Sequence, residues 1–362
     1  MTEVTEPIQG PVLDEPLAAD EVTAPRLARH RIELTDGHQV GVAVAGRGVP
    51  LVVVHGFSAE GFLYAQSLSR LVHMGFRVIA IDTAGHGATQ GLPLSGQNLN
   101  DYAELLGRAL DELGIERYVL AGHSMGGQLI TRLGARRPDA TMAVVLIDAI
   151  VGDTWDHMVQ LFRVVPPLLN VVGGLLLVDS LSVAPTFSDP RQATKLLRLV
   201  APTLLGHMVQ PWRLIGPMAT ILRSRASRYA LDALHDHGVP VFVLHGSWDL
   251  PVPLRTARDT ARRTEGVLVT IDGAGHSWIL RDPETLPAVV AQLLDGELGD
   301  AIGAALSAAG VGGDEPTLDD VETVCYARDA AIRSLAPAVS PEPVVGQHRR
   351  PRYRWRTETL RR

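Results

Sequence analysis

The reading of this chain turns on Tyr118-Val119-Leu120-Ala121-Gly122-His123-Ser124-Met125-Gly126-Gly127, an apolar run that leads straight into a serine set between glycines. A strand that feeds a helix through so tight a turn holds its central residue in strained backbone geometry, so nearby side chains must be small and the central one projects at the strand's end. Gly122 and Gly126 supply that room, and Ser124 is the residue presented. The plainer reading is a Gly-rich strand-to-helix loop with an incidental serine, and the rest of the chain decides between the two.

A serine hydroxyl is a weak nucleophile near neutral pH. It needs a histidine to take its proton, a carboxylate to orient that histidine, and donors for the oxyanion. The β-branched run Val267-Leu268-Val269-Thr270-Ile271 precedes Ala274-Gly275-His276-Ser277-Trp278, so His276 falls on a loop after a strand. Val241-Phe242-Val243-Leu244 reads as a buried strand running into His245-Gly246-Ser247-Trp248-Asp249, so Asp249 falls on a second such loop. The candidate nucleophile, acid and base therefore occur in the order Ser124, Asp249, His276.

Upstream, Pro50-Leu51-Val52-Val53-Val54 is a short strand followed by His55-Gly56-Phe57. Through these motifs the chain resembles the α/β-hydrolase family over residues 28 to 295, and its Ser-Asp-His order is that family's rather than the chymotrypsin or subtilisin order. The resemblance implies that the backbone N–H groups of Phe57 and Met125 form the oxyanion hole. Asp82-Thr83-Ala84-Gly85-His86-Gly87 is similar to the family's loop after the fourth strand, with His86 in a structural role.

Other polar residues compete for these roles. His123 adjoins the serine, but neighbours in a sharp turn point apart, so it is expected to support the loop. Asp148 ends the apolar run Ala143-Val144-Val145-Leu146-Ile147, a strand from which some family members take their acid; the Gly246-x-x-Asp249 loop with Pro251-Val252-Pro253 after it favours Asp249. His55 and His245 each end a strand beside a glycine and are expected to be packed or hydrogen-bonded.

The order of elements predicts an α/β fold. Strands at 31–34, 40–44, 50–54 and 77–81 alternate with helices near 61–74 and 98–113, the second with leucines 105, 106, 110 and 113 on one face. Such alternation specifies a mainly parallel central sheet flanked by helices, with reactive loops at its carboxyl edge. The expected organisation is an acidic, disordered tail over 1–27, a first core part over 28–148, a helical lid insertion over 149–238, a second core part over 239–296, and a C-terminal extension over 297–362, partly helical and then a disordered basic tail. In the insertion, the apolar stretch 164–178 is broken by Pro166-Pro167 and Gly173-Gly174, against a membrane span of about 20 apolar residues. Packed lid helices are one reading of it, and an acyl-chain pocket or lipid contact the other.

Composition sets outer limits. With 362 residues, 46% hydrophobic and 20% charged, the chain can bury a large core, and a net charge of −7 argues against general nucleic-acid binding. The single cysteine, Cys325, has no internal partner, so a reduced thiol is expected. The first residues lack the basic start and apolar core of a secretory signal, so a cytoplasmic location is expected. The end carries seven arginines, at 349, 350, 352, 354, 356, 361 and 362, with Tyr353 and Trp355 among them; a solvated tail is expected, and the lid and this tail are the candidates for peripheral membrane contact.

These residues describe a serine hydrolase that cleaves a hydrophobic carboxylic ester through an acyl-enzyme, with no metal or organic cofactor. Ser124 in the nucleophile's place argues against epoxide or haloalkane chemistry, which uses an aspartate. The same residues also suit a carbon–carbon bond hydrolase, a cofactor-free perhydrolase, or a non-catalytic ligand-binding protein that keeps the fold.

Overall fold

The computed structural model describes residues 27–57, 64–93, 98–181, 215–312, 316–335 and 350–362. Residues 1–26 of the expected N-terminal tail and the middle of the expected lid, 182–214, lie outside the described residues.

The chain begins with β1 (Ala28–Glu33), β2 (Gln39–Ala45) and β3 (Val49–Val54), followed by α1 (Ala65–Val72), β4 (Phe76–Ile81) and α2 (Leu99–Leu113). Next come β5 (Tyr118–His123), α3 (Met125–Arg136) and β6 (Thr141–Ile147). Strands β2 to β6 are mostly apolar and buried along nearly their whole length, the pattern of a sheet covered on both faces, whereas the edge strand β1 buries only Ile32. Helix α2 has sharp ends: Asn98 and Asp101 form a reciprocal capping box, and Gly114 closes the helix at φ 69°.

Between β6 and the next strand lie α4 (Asp153–Val164), α5 (Leu168–Leu181), α6 (Ile215–Arg223) and α7 (Arg228–Asp236). Pro166 and Pro167 separate α4 from α5, whereas Gly173 and Gly174 sit inside α5 without breaking it. Among the described residues no helix is long and apolar enough to cross a membrane. The chain then returns to the sheet through β7 (Val241–Gly246), α8 (Leu254–Thr264) and β8 (Val267–Ile271), and continues in α9 (Trp278–Arg281), α10 (Thr285–Leu294), α11 (Glu297–Ala308), α12 (Leu318–Cys325) and β9 (Trp355–Thr359).

Among the described residues the strands form one sheet in the order β1-β2-β4-β3-β5-β6-β7-β8-β9. Pairings from β4 to β8 are parallel; β1 with β2, β2 with β4 and β8 with β9 are antiparallel. The loops after β3, β5, β6, β7 and β8 consequently open on one edge, where residues distant in sequence become neighbours.

One part of the C-terminal extension departs from expectation. The basic end is not a solvated tail over its last residues: Trp355–Thr359 pairs antiparallel with β8, Val269 opposite Thr357. Without it β8 would be a bare edge. Trp355 donates to Gln292 at 2.6 Å, and Arg356 and Arg362 form ion pairs with Asp272 and Asp232. The helical part of the extension includes α12, which ends at Cys325, and a separate turn of 3-10 helix at Ala331–Ser334. Helix α12 sits at the opposite edge of the sheet from the loops above, where Glu322 takes Arg77 at 3.0 Å and Arg47 at 2.8 Å and Tyr326 donates to the Gly48 carbonyl at 2.8 Å. Cys325 is fully buried there as a free thiol, and burial pushes it up to about 12.

Candidate active site

Ser124 stands between β5 and α3 at φ 52°, ψ −116°, a conformation that costs an L-residue energy and is kept only where the surroundings dictate it. The surroundings are tight. The Ser124 N–H donates to the Ile147 carbonyl at 2.9 Å, and its own carbonyl accepts from Ile150 at 3.2 Å. A Cβ on Gly126 would lie 2.1 Å from the Val54 carbonyl oxygen, and one on Gly122 would lie 2.6 Å from the Gly126 backbone, so neither position admits a side chain.

The loops after β7 and β8 bring the other two residues to it. The Ser124 hydroxyl lies 3.0 Å from His276 Nε2, and His276 Nδ1 lies 2.7 Å from Asp249 Oδ2. The other Asp249 oxygen accepts the Val252 N–H at 2.8 Å, which fixes the carboxylate's rotation. All three residues are buried, while Trp248 and Leu250 on either side of Asp249 are 73% and 61% exposed. Burial disfavours the His276 imidazolium, but the Asp249 carboxylate outweighs it, with Asp148 and Asp179 behind, and pushes the ring up to about 9. Burial likewise opposes ionisation of Asp249, and the facing His276 nonetheless holds that carboxyl below its usual range.

Asp148 does not meet His276 in this way. Its oxygens accept the Gly246 N–H at 2.8 Å and the Trp278 indole N–H at 2.6 Å, and burial together with the Asp249 charge raises it well above the usual carboxylate range. Asp148, His245 and Asp249 form the one trio among the described residues whose ligand atoms, within 4.8 Å of one another, could hold a cation. The N–H donors on both carboxylates point at the oxygens a cation would need.

His123 supports the turn. Its Nε2–H donates to the His276 carbonyl at 3.1 Å and its Nδ1 accepts from the Tyr64 hydroxyl at 2.9 Å, while burial and the His276 charge push it down to about 3. His55 Nε2 accepts the Thr83 N–H at 2.9 Å, His86 pairs with Thr83 at 3.0 Å, and His245 Nε2–H donates to the Val252 carbonyl at 2.8 Å. His55 is thereby tied to the loop after β4, His86 is held within that loop, and His245 is tied to the loop after its own strand.

Phe57 and Met125 lie on the two segments that border the serine. A Cβ on Gly56 would lie 3.1 Å from the Ser124 Cβ, so the loop after β3 runs against the turn. Met125 is the first residue of α3, where the backbone N–H has no acceptor inside the helix. Two residues that sequence reasoning passed over also reach this region. Tyr64 anchors His123, and Asp179 of α5 accepts the N–H groups of His276 and Ser277 at 2.8 and 2.7 Å. The signal for Asp179 was present, since it is the only charged residue of the helix LLNVVGGLLLVDSL.

A strained serine on the carboxyl edge of a mainly parallel sheet, joined to a histidine and an aspartate from two later loops, has the architecture of an α/β-hydrolase. The model of the alpha/beta hydrolase family matches residues 51–289, and the chain belongs to that family and is a hydrolase. It is 34% identical over 270 residues to a protein of Mycobacterium phage D29 named for non-heme haloperoxidase activity, covering 73% of this chain and 94% of the relative. Among solved structures, its fold is similar to the esterase RhEst1 from Rhodococcus sp. ECU1013 (TM-score 0.57, 21% identity, 74% of this chain and 98% of that one). It is also similar to the enol-lactonase from Burkholderia xenovorans LB400 (TM-score 0.56, 18% identity, 74% of this chain and 100% of that one).

Proposed function

We propose that this hydrolase cleaves carboxylic esters of hydrophobic character, with Ser124 as nucleophile, His276 as general base and Asp249 as its orienting acid. The observation that carries the reading is the continuous hydrogen-bonded path from the Ser124 hydroxyl through His276 to Asp249. His276 Nε2 takes the serine proton as Oγ attacks the acyl carbon. The N–H groups of Phe57 and Met125 receive the negative oxygen. The imidazolium then gives its proton to the leaving alkoxide as the ester C–O bond breaks, which leaves an acyl-serine. Water, deprotonated by His276, attacks that acyl group and releases the carboxylic acid and free serine.

The protonated form of His276 cannot accept the serine proton, so activity is lost as pH falls through the ring's pKa. Because Asp249 raises that value, the acidic limb of kcat/KM is expected well above the ordinary imidazole value of 6.5, toward 9. A pH–rate profile with a water-soluble p-nitrophenyl ester checks this, and a limb below 6.5 would contradict it.

The insertion between β6 and β7 is read as a lid that supplies an apolar wall. Leu175 and Leu176 lie four and three residues before Asp179, and so share the face of α5 from which Asp179 reaches the His276 loop. Each methylene buried contributes roughly 0.8 kcal/mol, so two added acyl carbons are expected to raise kcat/KM about tenfold until the pocket is filled. The measurement is the octanoate-to-acetate ratio of kcat/KM for p-nitrophenyl esters, below micelle formation. A ratio at or below one would end the preference, and an unchanged ratio in a folded Leu175→Ser/Leu176→Ser variant would remove these residues from it.

The phage D29 relative supports a second reading, in which hydrogen peroxide replaces water in the deacylation step and the product is a peracid. Assay of peracid formation from acetate and hydrogen peroxide separates it from simple hydrolysis.

A further inference from the structure

We propose that Asp179 is a positioning residue for His276: its carboxylate, carried on α5, fixes the main chain of His276 and Ser277 and keeps a second negative charge beside the imidazolium that forms in each half-reaction. This inference rests on the assignment of Ser124, His276 and Asp249 above.

The geometry is specific. One Asp179 oxygen accepts the His276 N–H at 2.8 Å and the other the Ser277 N–H at 2.7 Å, across 97 and 98 residues of sequence. A Cβ on Gly275 would lie 2.2 Å from the first of those oxygens, so the carboxylate reaches the main chain only because residue 275 is glycine. The other side of the same residue is also tied, since the His276 carbonyl accepts from His123. With amide and carbonyl both held, the ring keeps the direction that joins Ser124 to Asp249. Asp179 is the one charged residue of α5, and both of its oxygens are turned to this loop.

The charged and titratable groups around the His276 ring come from each element packed on it. Asp249 and Asp148 lie on the loops after β7 and β6, His245 on β7, Asp179 on α5, and His123 beside the serine with its ring centroid 4.9 Å away. Burial keeps His123 and His245 neutral. Asp179 adds to Asp249 in favouring the imidazolium. A residue with a merely structural task would alter the melting temperature and leave the titration of His276 in place.

The test compares wild type with Asp179→Asn and Asp179→Glu in the full chain. An asparagine can accept only one of the two N–H groups and sets its own NH2 against the other. For Asp179→Asn, kcat is expected to fall about tenfold with KM within about twofold, the signature of lost orientation rather than lost binding. With the charge removed, the acidic limb of kcat/KM and the His276 titration followed by NMR are both expected to move to lower pH, by about half a unit. Asp179→Glu keeps the charge and is expected to hold the limb close to the wild-type position. The NMR titration needs no turnover, so it also reads a variant whose activity is too low to measure. An unmoved His276 titration with unchanged kcat overturns the proposal, as does a lowered melting temperature with an unmoved limb. Fluorophosphonate labelling of wild-type Ser124 keeps the two failures apart. Labelled serine with a silent Asp179→Asn defeats this inference alone, whereas an unlabelled serine in folded protein defeats the assignment on which it rests.

Discussion

Ser124→Ala is expected to fold as the wild type does and to lose ester hydrolysis by on the order of 10³-fold or more, because it removes the hydroxyl proposed to carry the acyl group. Alanine also relieves nothing of the backbone requirement, since residue 124 must still adopt φ 52° between Gly122 and Gly126. The variant is therefore expected to melt close to the wild type while its kcat falls. Purified protein that retained near-normal turnover of a p-nitrophenyl ester would remove Ser124 from the reaction.

Asp249→Asn is expected to depress turnover by up to about 10⁴-fold, the loss seen when a triad aspartate is replaced by its amide. The cause is visible in the local bonding. The Val252 N–H donates to one Asp249 oxygen, so the asparagine carbonyl will turn to it and present NH2 to His276 Nδ1. That places the ring proton on Nε2, where the lone pair should accept from Ser124. Loss of the Asp249 charge also moves the acidic limb of the residual activity to lower pH. Asp148→Asn opposes its NH2 to the Gly246 N–H or the Trp278 indole N–H, and the expected result is a loss of stability of about 1–3 kcal/mol with a far smaller loss of turnover. Steady-state kinetics and thermal melts of the two variants decide between the carboxylates, and the reverse ranking would make Asp148 the acid.

The features that could be read directly were those written in contiguous residues. The turn at Ser124 announces itself through glycines that sterics require at 122 and 126, and the strands at 241–246 and 267–271 through buried β-branched runs, so the loops that carry Asp249 and His276 follow from their position after strands. Asp179 was harder to see. Its lone charge in α5 marks it out, but its partners are backbone amides almost a hundred residues away, and a main-chain donor leaves no mark in side-chain identity to say where that charge goes. The final strand was hidden for a different reason: the arginines of 350–362 suggest solvation, and whether Trp355–Thr359 pairs depends on the open edge of β8 rather than on its own residues. The indole of Trp278 donates to Asp148 at 2.6 Å from 130 residues away, a contact that no local motif contains.

An activated serine at position 124 would react with more than esters. A fluorophosphonate tests for it most directly, because such a serine forms an O–P bond as fluoride leaves and the hydroxyl proton passes to the histidine. The expected result is a single adduct mapped by mass spectrometry to Ser124 in the wild type, with the rate of labelling falling steeply in His276→Ala. A folded wild-type protein that stays unlabelled, or one that labels at Ser124 equally fast without His276, would contradict the account.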